Sequence, residues 1–349
     1  MSLIHRTEEF PLKEARAMVK DLMTPKPHIY WVDFLLSVGL GWAMFYVALM
    51  SDFNQVWAYG ATLISALALY RAVIFIHEIV HFKKGTLLSF KAAWNVLCGF
   101  AMLVPAFTYQ GVHIDHHKRD IYGTLEDGEY LPFGAQNPLL NVWYVVSSIF
   151  LPALIIGRFV ILSPLGWLIP PLGRFIWQRS SSLTIDLTYR RPPPTVLDGK
   201  YWRLQEVMAW LYGVAAVVAL YFGIIPMKAF YLWYAIMVLI LTLNSLRTLG
   251  AHAYRNPGHE VLSVPEQFLD SVDVPYGFIT PLWAPVGLRF HATHHLFPNM
   301  PYHSLGEAYE RLSRDLPQKH LYLAATRKSL WHALSTLWSD AKKYQSMKE

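Results

Sequence analysis

The chain has 349 residues, of which 54% are hydrophobic and only 15% are charged. Soluble globular domains carry about 25% charged residues, so this composition excludes an ordinary water-soluble domain and indicates a protein embedded in lipid. The formal net charge of +6 is typical of basic loops at a membrane surface, and the sequence contains no motif for binding RNA or DNA.

Two pairs of long apolar segments predict two transmembrane hairpins. A helix needs about 20 apolar residues to cross a bilayer. Residues 31–50 and 56–76 form the first pair, which the short sequence SDFNQ connects, and residues 207–225 and 229–246 form the second. We therefore predict an all-α, polytopic membrane protein with four transmembrane helices in two hairpins.

Two further apolar stretches are less regular. Residues 93–107 are short for a crossing, and residues 142–171 are interrupted by Pro152, Arg158, Pro164, Pro170 and Pro171. Lipid tolerates interrupted helices only where other parts of the protein cover the exposed backbone. We predict re-entrant or interfacial helices for both stretches.

The distribution of lysine and arginine predicts the orientation. Both terminal regions and residues 174–203 are basic, whereas the two hairpin tips carry one lysine in total. Basic loops stay in the cytoplasm, so we predict a multi-pass protein with cytoplasmic termini. With no polar linker or repeat, we predict a single domain over residues 1–349, with a cytoplasmic N-terminal segment (1–29) and a cytoplasmic C-terminal tail (311–349).

The ends of the chain and its cysteine content bear on the compartment. The N-terminal residues lack the apolar region of a cleaved signal peptide, and the C-terminal residues match no retrieval signal. These features favour a bacterial inner membrane over the endoplasmic reticulum. The single cysteine, Cys98, excludes an internal disulfide and a site built from several thiolates.

Eight of the 15 histidines fall in three windows of five residues, HEIVH, HIDHH and HATHH. Residues three or four apart share one face of a helix, so each window offers several imidazoles on one side. Adjacent histidines diverge by roughly 100°, so an HxxHH window can serve two neighbouring metals. A di-metal site in a cytoplasmic helical cap is predicted, with these ligands: His77, His81, His113, His116, His117, His291, His294 and His295.

A ninth candidate ligand is His252, which follows the fourth predicted crossing on the same predicted side. A lone histidine more often caps a helix or donates a hydrogen bond, so its case depends on the other eight. The remaining histidines lack ligand spacing, and among them we single out only His303 for a test.

The three windows resemble the histidine boxes of the membrane fatty acid desaturase superfamily, which also contains lipid hydroxylases and carotenoid ketolases. The family order is HxxxH or HxxxxH, then HxxHH, then HxxHH or QxxHH. The flanking sequences HHKRDIYGTLEDGEYLP and HHLFPNMPYHSL are similar to the family too. The resemblance covers roughly residues 30–310.

The resemblance implies that the eight window histidines, with His252 as a ninth, bind two iron ions. It further implies O2 as co-substrate, a lipid acyl chain as substrate, and an external electron donor such as a ferredoxin or a small cytochrome. From the HHLFPNMPYHSL segment we favour a fatty acid desaturase that acts on an acyl-lipid or acyl-CoA. A lipid hydroxylase or carotenoid-type oxygenase is the alternative, because both reactions begin with removal of one hydrogen atom.

Carboxylates commonly orient the imidazole ligands of a metal. The candidates for this role lie near the windows, although each is as easily a solvated loop charge: Glu78, Asp115, Asp120, Glu126, Asp127 and Asp273.

Two other classes of protein compete with the oxidoreductase. HEIVH also matches the H-E-x-x-H signature of zinc metalloproteases, including intramembrane proteases, with Glu78 as general base. That interpretation leaves both HxxHH windows without a function. A metal transporter would place its ligands near the middle of the membrane, whereas these windows lie at predicted helix ends and in loops.

Overall fold

In the computed structural model, which describes residues 10–52 and 54–347, the chain folds into helices and the described residues form no strands. The α-helices are α1 (Leu12–Met18), α2 (Pro27–Met50), α3 (Val56–His81), α4 (Leu88–Trp94), α5 (Val112–His116), α6 (Leu139–Val146), α7 (Leu151–Ile156), α8 (Ser163–Leu168), α9 (Pro170–Ser180), α10 (Val196–Tyr221), α11 (Met227–Ala251), α12 (Val264–Asp270), α13 (Thr280–Trp283), α14 (His291–Leu296), α15 (Tyr302–Asp315), α16 (Lys319–Leu323) and α17 (Leu330–Ser346). The predicted all-α class is confirmed.

The helices group into two compact units. The long-helix unit comprises His28–Gly111 and Ser147–Leu243, and the histidine unit comprises Met1–Pro27, Val112–Val146 and Asn244–Glu349. The prediction of a single domain stays a prediction. Residues 1–9 of the predicted N-terminal segment and residues 348–349 of the predicted tail lie outside the described residues.

Five helical segments are long and apolar enough to cross a membrane. Four of them, α2, α3, α10 and α11, correspond to the predicted crossings and extend beyond them at one or both ends, although α10 ends at Tyr221, four residues before the predicted end at residue 225. In α3, 72% of the most apolar window is buried, whereas in α10 the fraction is only 17%. The outer surface of α10 is therefore apolar and uncovered by protein, as a lipid-facing helix requires.

The fifth segment, Leu151–Leu168, joins α7 and α8 through a wider helical turn at Gly157–Leu162. Its 18 residues rise about 27 Å, close to the thickness of the hydrocarbon layer. The prolines and Arg158 in this stretch predict a re-entrant or interfacial helix. Its length and composition also suit a crossing, and the re-entrant interpretation stays a prediction.

Within the long-helix unit, polar groups connect the apolar helices at a few points. Arg71 of α3 forms a bidentate ion pair with Asp33 of α2, with nitrogen–oxygen distances of 2.6 and 2.5 Å. At the other end of this hairpin, Lys228 donates hydrogen bonds to the backbone carbonyls of Leu49 and Ser51. These bonds tie the tip of the first hairpin to the start of α11.

The histidine unit has its own apolar core, in which the N-terminal segment packs against the C-terminal helices. Phe10 and Phe268 pack with ring centroids 5.3 Å apart, and Arg311 of α15 forms an ion pair of 2.7 Å with Asp21. The core around them contains Ala15, Val19, Phe290, Ala292, Leu296, Leu305 and Leu312. Because α14 contributes to this core, the helix that carries HATHH is held from its apolar side.

One close backbone approach supports the segment after α11. The amide of Gly134 donates a hydrogen bond of 3.0 Å to the carbonyl of Tyr254. A side chain at Gly134 would overlap the carbonyl oxygen of Ala253. Glycine is required there, and the contact holds the backbone next to His252.

Candidate metal centre

The HEIVH window forms the last turn of α3 in the long-helix unit. His77 and His81 are one helical turn apart, and their ring centroids lie 5.0 Å apart. Glu78 between them is buried and accepts a hydrogen bond of 2.7 Å from the hydroxyl of Tyr30. The two imidazoles thus share one face, as the spacing predicts, and Glu78 is held by a neighbouring helix.

The histidine unit brings seven histidines together in two groups. The first contains His113, His117 and His294, and the second contains His116, His252, His291 and His295. Within each group the candidate ligand atoms lie within 4.8 Å of one another. All four members of the second group are buried. Each HxxHH window therefore contributes to both groups, as predicted from the divergence of adjacent histidines.

Close contacts between ring nitrogens show that the groups fit metal ions. The Nε2 atom of His291 lies 2.9 Å from that of His252 and 3.2 Å from that of His295. A single ring nitrogen carries at most one proton, so it cannot donate to both neighbours. Two nitrogens bound side by side to one ion, at about 2.1 Å each, lie about 3 Å apart. A shared ion accounts for both contacts.

The first group shows the same geometry. The Nε2 atom of His117 lies 3.2 Å from that of His113 and 3.1 Å from that of His294. Three imidazole nitrogens again converge on one point. The histidine unit by itself thus offers two convergent sets of nitrogen donors.

Carboxylates hold two of these imidazoles from behind. The Nδ1 of His116 donates a hydrogen bond of 2.8 Å to Asp127, and the Nδ1 of His113 donates one of 3.0 Å to Glu129. Because a carboxylate only accepts hydrogen bonds, Nδ1 carries the proton and Nε2 keeps its lone pair. This is the tautomer that a metal ligand bound through Nε2 needs.

Asp127 is itself anchored by the loop that contains it. It accepts hydrogen bonds of 2.9 Å from the backbone amides of Gly123 and Glu129. Burial by itself lowers the pKa of His116. The negative charge and the hydrogen bond of Asp127 have the larger combined effect, so the pKa of His116 is raised. The carboxylate thus makes the ring a stronger electron donor.

His252 is oriented by a buried network that contains a tyrosine. Its Nδ1 lies 3.0 Å from the hydroxyl of Tyr122, which donates to Asp270 at 3.3 Å. Tyr130 donates to the same carboxylate oxygen at 2.6 Å, and burial raises the pKa of Asp270 to about 6. Because the hydroxyl of Tyr122 donates its hydrogen bond to Asp270, its oxygen accepts a hydrogen bond from Nδ1 of His252. The Nε2 atom of His252 is then unprotonated, and its lone pair points towards His291.

Two imidazoles of the second group, those of His252 and His295, are kept neutral by their surroundings. Burial, followed by the neighbouring imidazoles, lowers the pKa of His252 and of His295 well below the usual value. A metal binds the neutral form of histidine, so no proton has to be displaced at neutral pH.

Asp273 acts on α14 and not on an imidazole. Its carboxylate accepts hydrogen bonds from the backbone amide and the hydroxyl of Thr293, at 3.1 and 2.6 Å. Burial raises the pKa of this carboxyl to about 7. Asp273 therefore fixes the short helix on which His291, His294 and His295 stand.

The other candidate carboxylates and His303 have different surroundings. Asp115 forms an ion pair with Lys118, whereas Asp120 and Glu126 are exposed. His303 accepts a hydrogen bond from the amide of Lys26 at 3.1 Å. It belongs to neither histidine group.

Sequence reasoning missed Glu129, Tyr122, Tyr130 and Asp270. The first three lie within the segment HHKRDIYGTLEDGEYLP, which carried the family resemblance. The resemblance of that segment to the family was the signal that could have indicated them. The sequence spacing from the histidines could not distinguish Glu129, which contacts an imidazole, from the exposed Glu126 three residues earlier.

We expect Tyr122→Phe to lower the affinity for metal about tenfold, because His252 loses the hydroxyl that fixes its tautomer. Ser271 lies 3.2 Å from the same Nδ1 and limits the effect. The measurement is a chelator competition that follows metal retained per chain. Tyr276→Phe, at an exposed tyrosine, is the control. Equal metal retention in the two variants would contradict this role.

The apolar helices and the buried histidine groups define the class as a multi-pass membrane protein whose histidines could hold a di-metal site. The chain belongs to the fatty acid desaturase family, whose sequence model matches residues 54–327. It is also 38% identical over 327 residues to a ceramide hydroxylase from Caulobacter vibrioides (strain NA1000 / CB15N), which covers 93% of this chain and 92% of that protein. The resemblance seen in the histidine windows is confirmed.

Family membership decides among the competing classes. The superfamily consists of membrane di-iron desaturases and hydroxylases, so the protein is an oxidoreductase. HEIVH lies inside the matched region, so the family match favours the oxidoreductase over the zinc protease. The comparison does not favour desaturation. The similarity to a ceramide hydroxylase fits the alternative prediction, a lipid hydroxylase, better.

Proposed function

We propose that this protein is an O2-dependent hydroxylase of ceramide or of a closely related N-acylated long-chain base. The observation that carries this proposal is 38% identity to a ceramide hydroxylase along nearly the whole of both chains. It replaces the fatty acid desaturase that the flanking sequence favoured.

The proposed metal ligands are the nine histidines named from the sequence. His116, His252, His291 and His295 would hold one iron ion. Their convergent nitrogens support this assignment, as does the burial that lowers the pKa of His252 and of His295. His113, His117 and His294 would hold the other. We propose His77 and His81 as the remaining ligands, because HxxxH presents both imidazoles on one face of α3.

The iron ions, when bound, supply the activation of O2 that removes a hydrogen atom from an unactivated C–H bond. Hydroxylation balances as R–H plus O2, two electrons and two protons, which gives R–OH and water. The electrons come from an external protein donor, for which a ferredoxin or a small cytochrome is our proposal. A basic membrane face would attract an acidic donor of either kind.

Carboxylate and tyrosine side chains of this protein orient the proposed histidine ligands. Asp127 and Glu129 hold His116 and His113 in the metal-binding tautomer, and the Tyr122–Asp270 pair does the same for His252. Asp273 holds α14 through Thr293. We further propose that the termini and the metal centre face the cytoplasm of a bacterial cell, because both terminal regions and residues 174–203 are basic, whereas the predicted hairpin tips are not.

The test is lipid mass spectrometry of bacteria that are supplied with ceramide and express the protein, with His294→Ala as the inactive control. We expect ceramide to gain the mass of one oxygen atom only with the active chain. Loss of the mass of two hydrogen atoms would show a desaturase instead. Unchanged ceramide, together with altered phospholipid acyl chains, would overturn the proposed substrate.

A further inference from the structure

The long-helix unit contains a cleft of about 700 Å³ that no part of the proposed reaction uses. The helix pair α8 and α9 and the start of α10 form its walls. Its apolar lining is mainly aromatic side chains and prolines, including Phe107, Trp167, Trp177, Trp202 and Pro170. A cleft of this size and lining suits an organic ligand, because such sites commonly measure about 300–1,000 Å³.

The walls of the cleft are held rigidly. Trp177 and Trp202 are stacked with centroids 5.0 Å apart, and the buried guanidinium of Arg191 lies 4.6 and 4.4 Å from these two rings. Side chains at Gly166 and Gly173 would overlap the facing helix, so the two glycines allow α8 and α9 to pack closely. The aromatic surface is therefore formed without a ligand.

The cleft carries a positive charge at its exposed edge. Arg174 and Arg203 are the cationic lining residues, and Glu206 is the carboxylate among them. Glu206 is already occupied: it accepts hydrogen bonds from Arg158 and Arg203 at 2.7 Å each, and from Trp167 at 3.0 Å. Arg174 is exposed, and the described residues provide it with no hydrogen-bond or ion-pair partner. An anionic group is the complementary ligand.

The surroundings of the cleft indicate that the ligand is a lipid. Exposed apolar residues follow the two arginines in the sequence: Phe175 after Arg174 is 58% exposed, and Leu204 after Arg203 is 58% exposed. Leu168, at the end of the apolar segment that leads into the cleft, is 79% exposed. Tryptophan and arginine among uncovered apolar residues are typical of the membrane interface.

We propose that this cleft binds an anionic phospholipid, with its phosphate between Arg174 and Arg203 and its glycerol and upper acyl carbons against Trp167, Trp177 and Trp202. Ceramide has no charge, so this lipid is distinct from the proposed substrate. Such a site would retain one anionic lipid next to the enzyme in a mixed bilayer.

The test is native mass spectrometry of the purified full-length protein, titrated with phosphatidylglycerol or phosphatidylcholine in mixed micelles. We expect one phosphatidylglycerol to bind in preference to phosphatidylcholine. Arg174→Ala/Arg203→Ala should weaken its binding, roughly fivefold for each arginine removed. Arg174→Ala alone serves as a second variant, because Arg174 has no described partner whose loss would disturb folding.

The matched control is Arg190→Ala/Lys200→Ala, which removes two exposed cations near the cleft that do not line it. If this control lost as much phosphatidylglycerol binding as Arg174→Ala/Arg203→Ala, the lipid would be attracted to the basic surface in general, and the proposed site would be wrong. Preferential binding of ceramide, or displacement of the lipid by millimolar inorganic phosphate, would also overturn it. Because lipid retention and not hydroxylation is measured, the result is independent of the proposed reaction.

Discussion

Replacing His295 with alanine is expected to abolish the oxygenated lipid product and to reduce bound iron from about two ions per chain to about one. His295 is buried, and its Nε2 lies 3.2 Å from that of His291. Its removal leaves three nitrogens in the second group and a cavity beside them. The loss of product should exceed a hundredfold, because a missing direct ligand costs more than the 10–100-fold of a missing orienting group. Product is measured by mass spectrometry, and iron by elemental analysis of the purified protein.

His303→Ala is the matched control for this experiment. His303 follows the same window by eight residues, but it accepts a hydrogen bond from Lys26 and belongs to neither group. Its variant should keep the iron content and the product of the unmodified protein. If His303→Ala lost iron, or if His295→Ala kept two ions and full product, the assignment of the second group would be wrong.

Replacing Asp127 with asparagine is expected to lower iron affinity and product formation about 10–100-fold, because the charged partner of His116 is removed. Asparagine has nearly the same shape but only one acceptor oxygen, whereas the amide of Gly123 donates to Oδ2 of Asp127, which also contacts His116, and the amide of Glu129 donates to Oδ1. The substitution therefore removes the charge beside His116 and one of the two hydrogen bonds that anchor residue 127 in its loop. Chelator competition measures the affinity, and the amount of folded protein is checked by gel filtration.

Asp120→Asn provides a control of the same chemistry in the same segment. Asp120 is exposed, whereas Asp127 is fully buried. The control should behave like the unmodified protein in both assays. Similar losses in the two variants would show that the net charge of the segment matters, and not the hydrogen bond to His116.

Local sequence was sufficient for the class of the protein and for most of the proposed ligands. Long apolar segments predicted the membrane helices α2, α3, α10 and α11, because the cost of burying a charge in lipid leaves a pattern that needs no tertiary information. The helix ends were less predictable. Helix α10 begins at Val196, before the apolar segment that was predicted from residue 207. Thr195 caps this helix, because its side chain accepts a hydrogen bond from the backbone amide of Asp198.

The choice between hydroxylation and desaturation lay beyond the sequence motifs. Both reactions begin with removal of one hydrogen atom at the same kind of site, so the histidine windows carry no information on the outcome. The similarity to a ceramide hydroxylase along 93% of the chain supports hydroxylation instead.

By itself, the sequence determined that eight histidines lie at helical spacing and that adjacent histidines in a window point in directions roughly 100° apart, because both follow from the angle between neighbouring residues on a helix. Only the tertiary structure decided that the lone His252 joins His291, and that Glu129 contacts His113 while Glu126 faces solvent. The physical reason is distance along the chain. Helical geometry relates residues a few positions apart, whereas His252 and His291, 39 residues apart, meet only because the histidine unit packs around a common core.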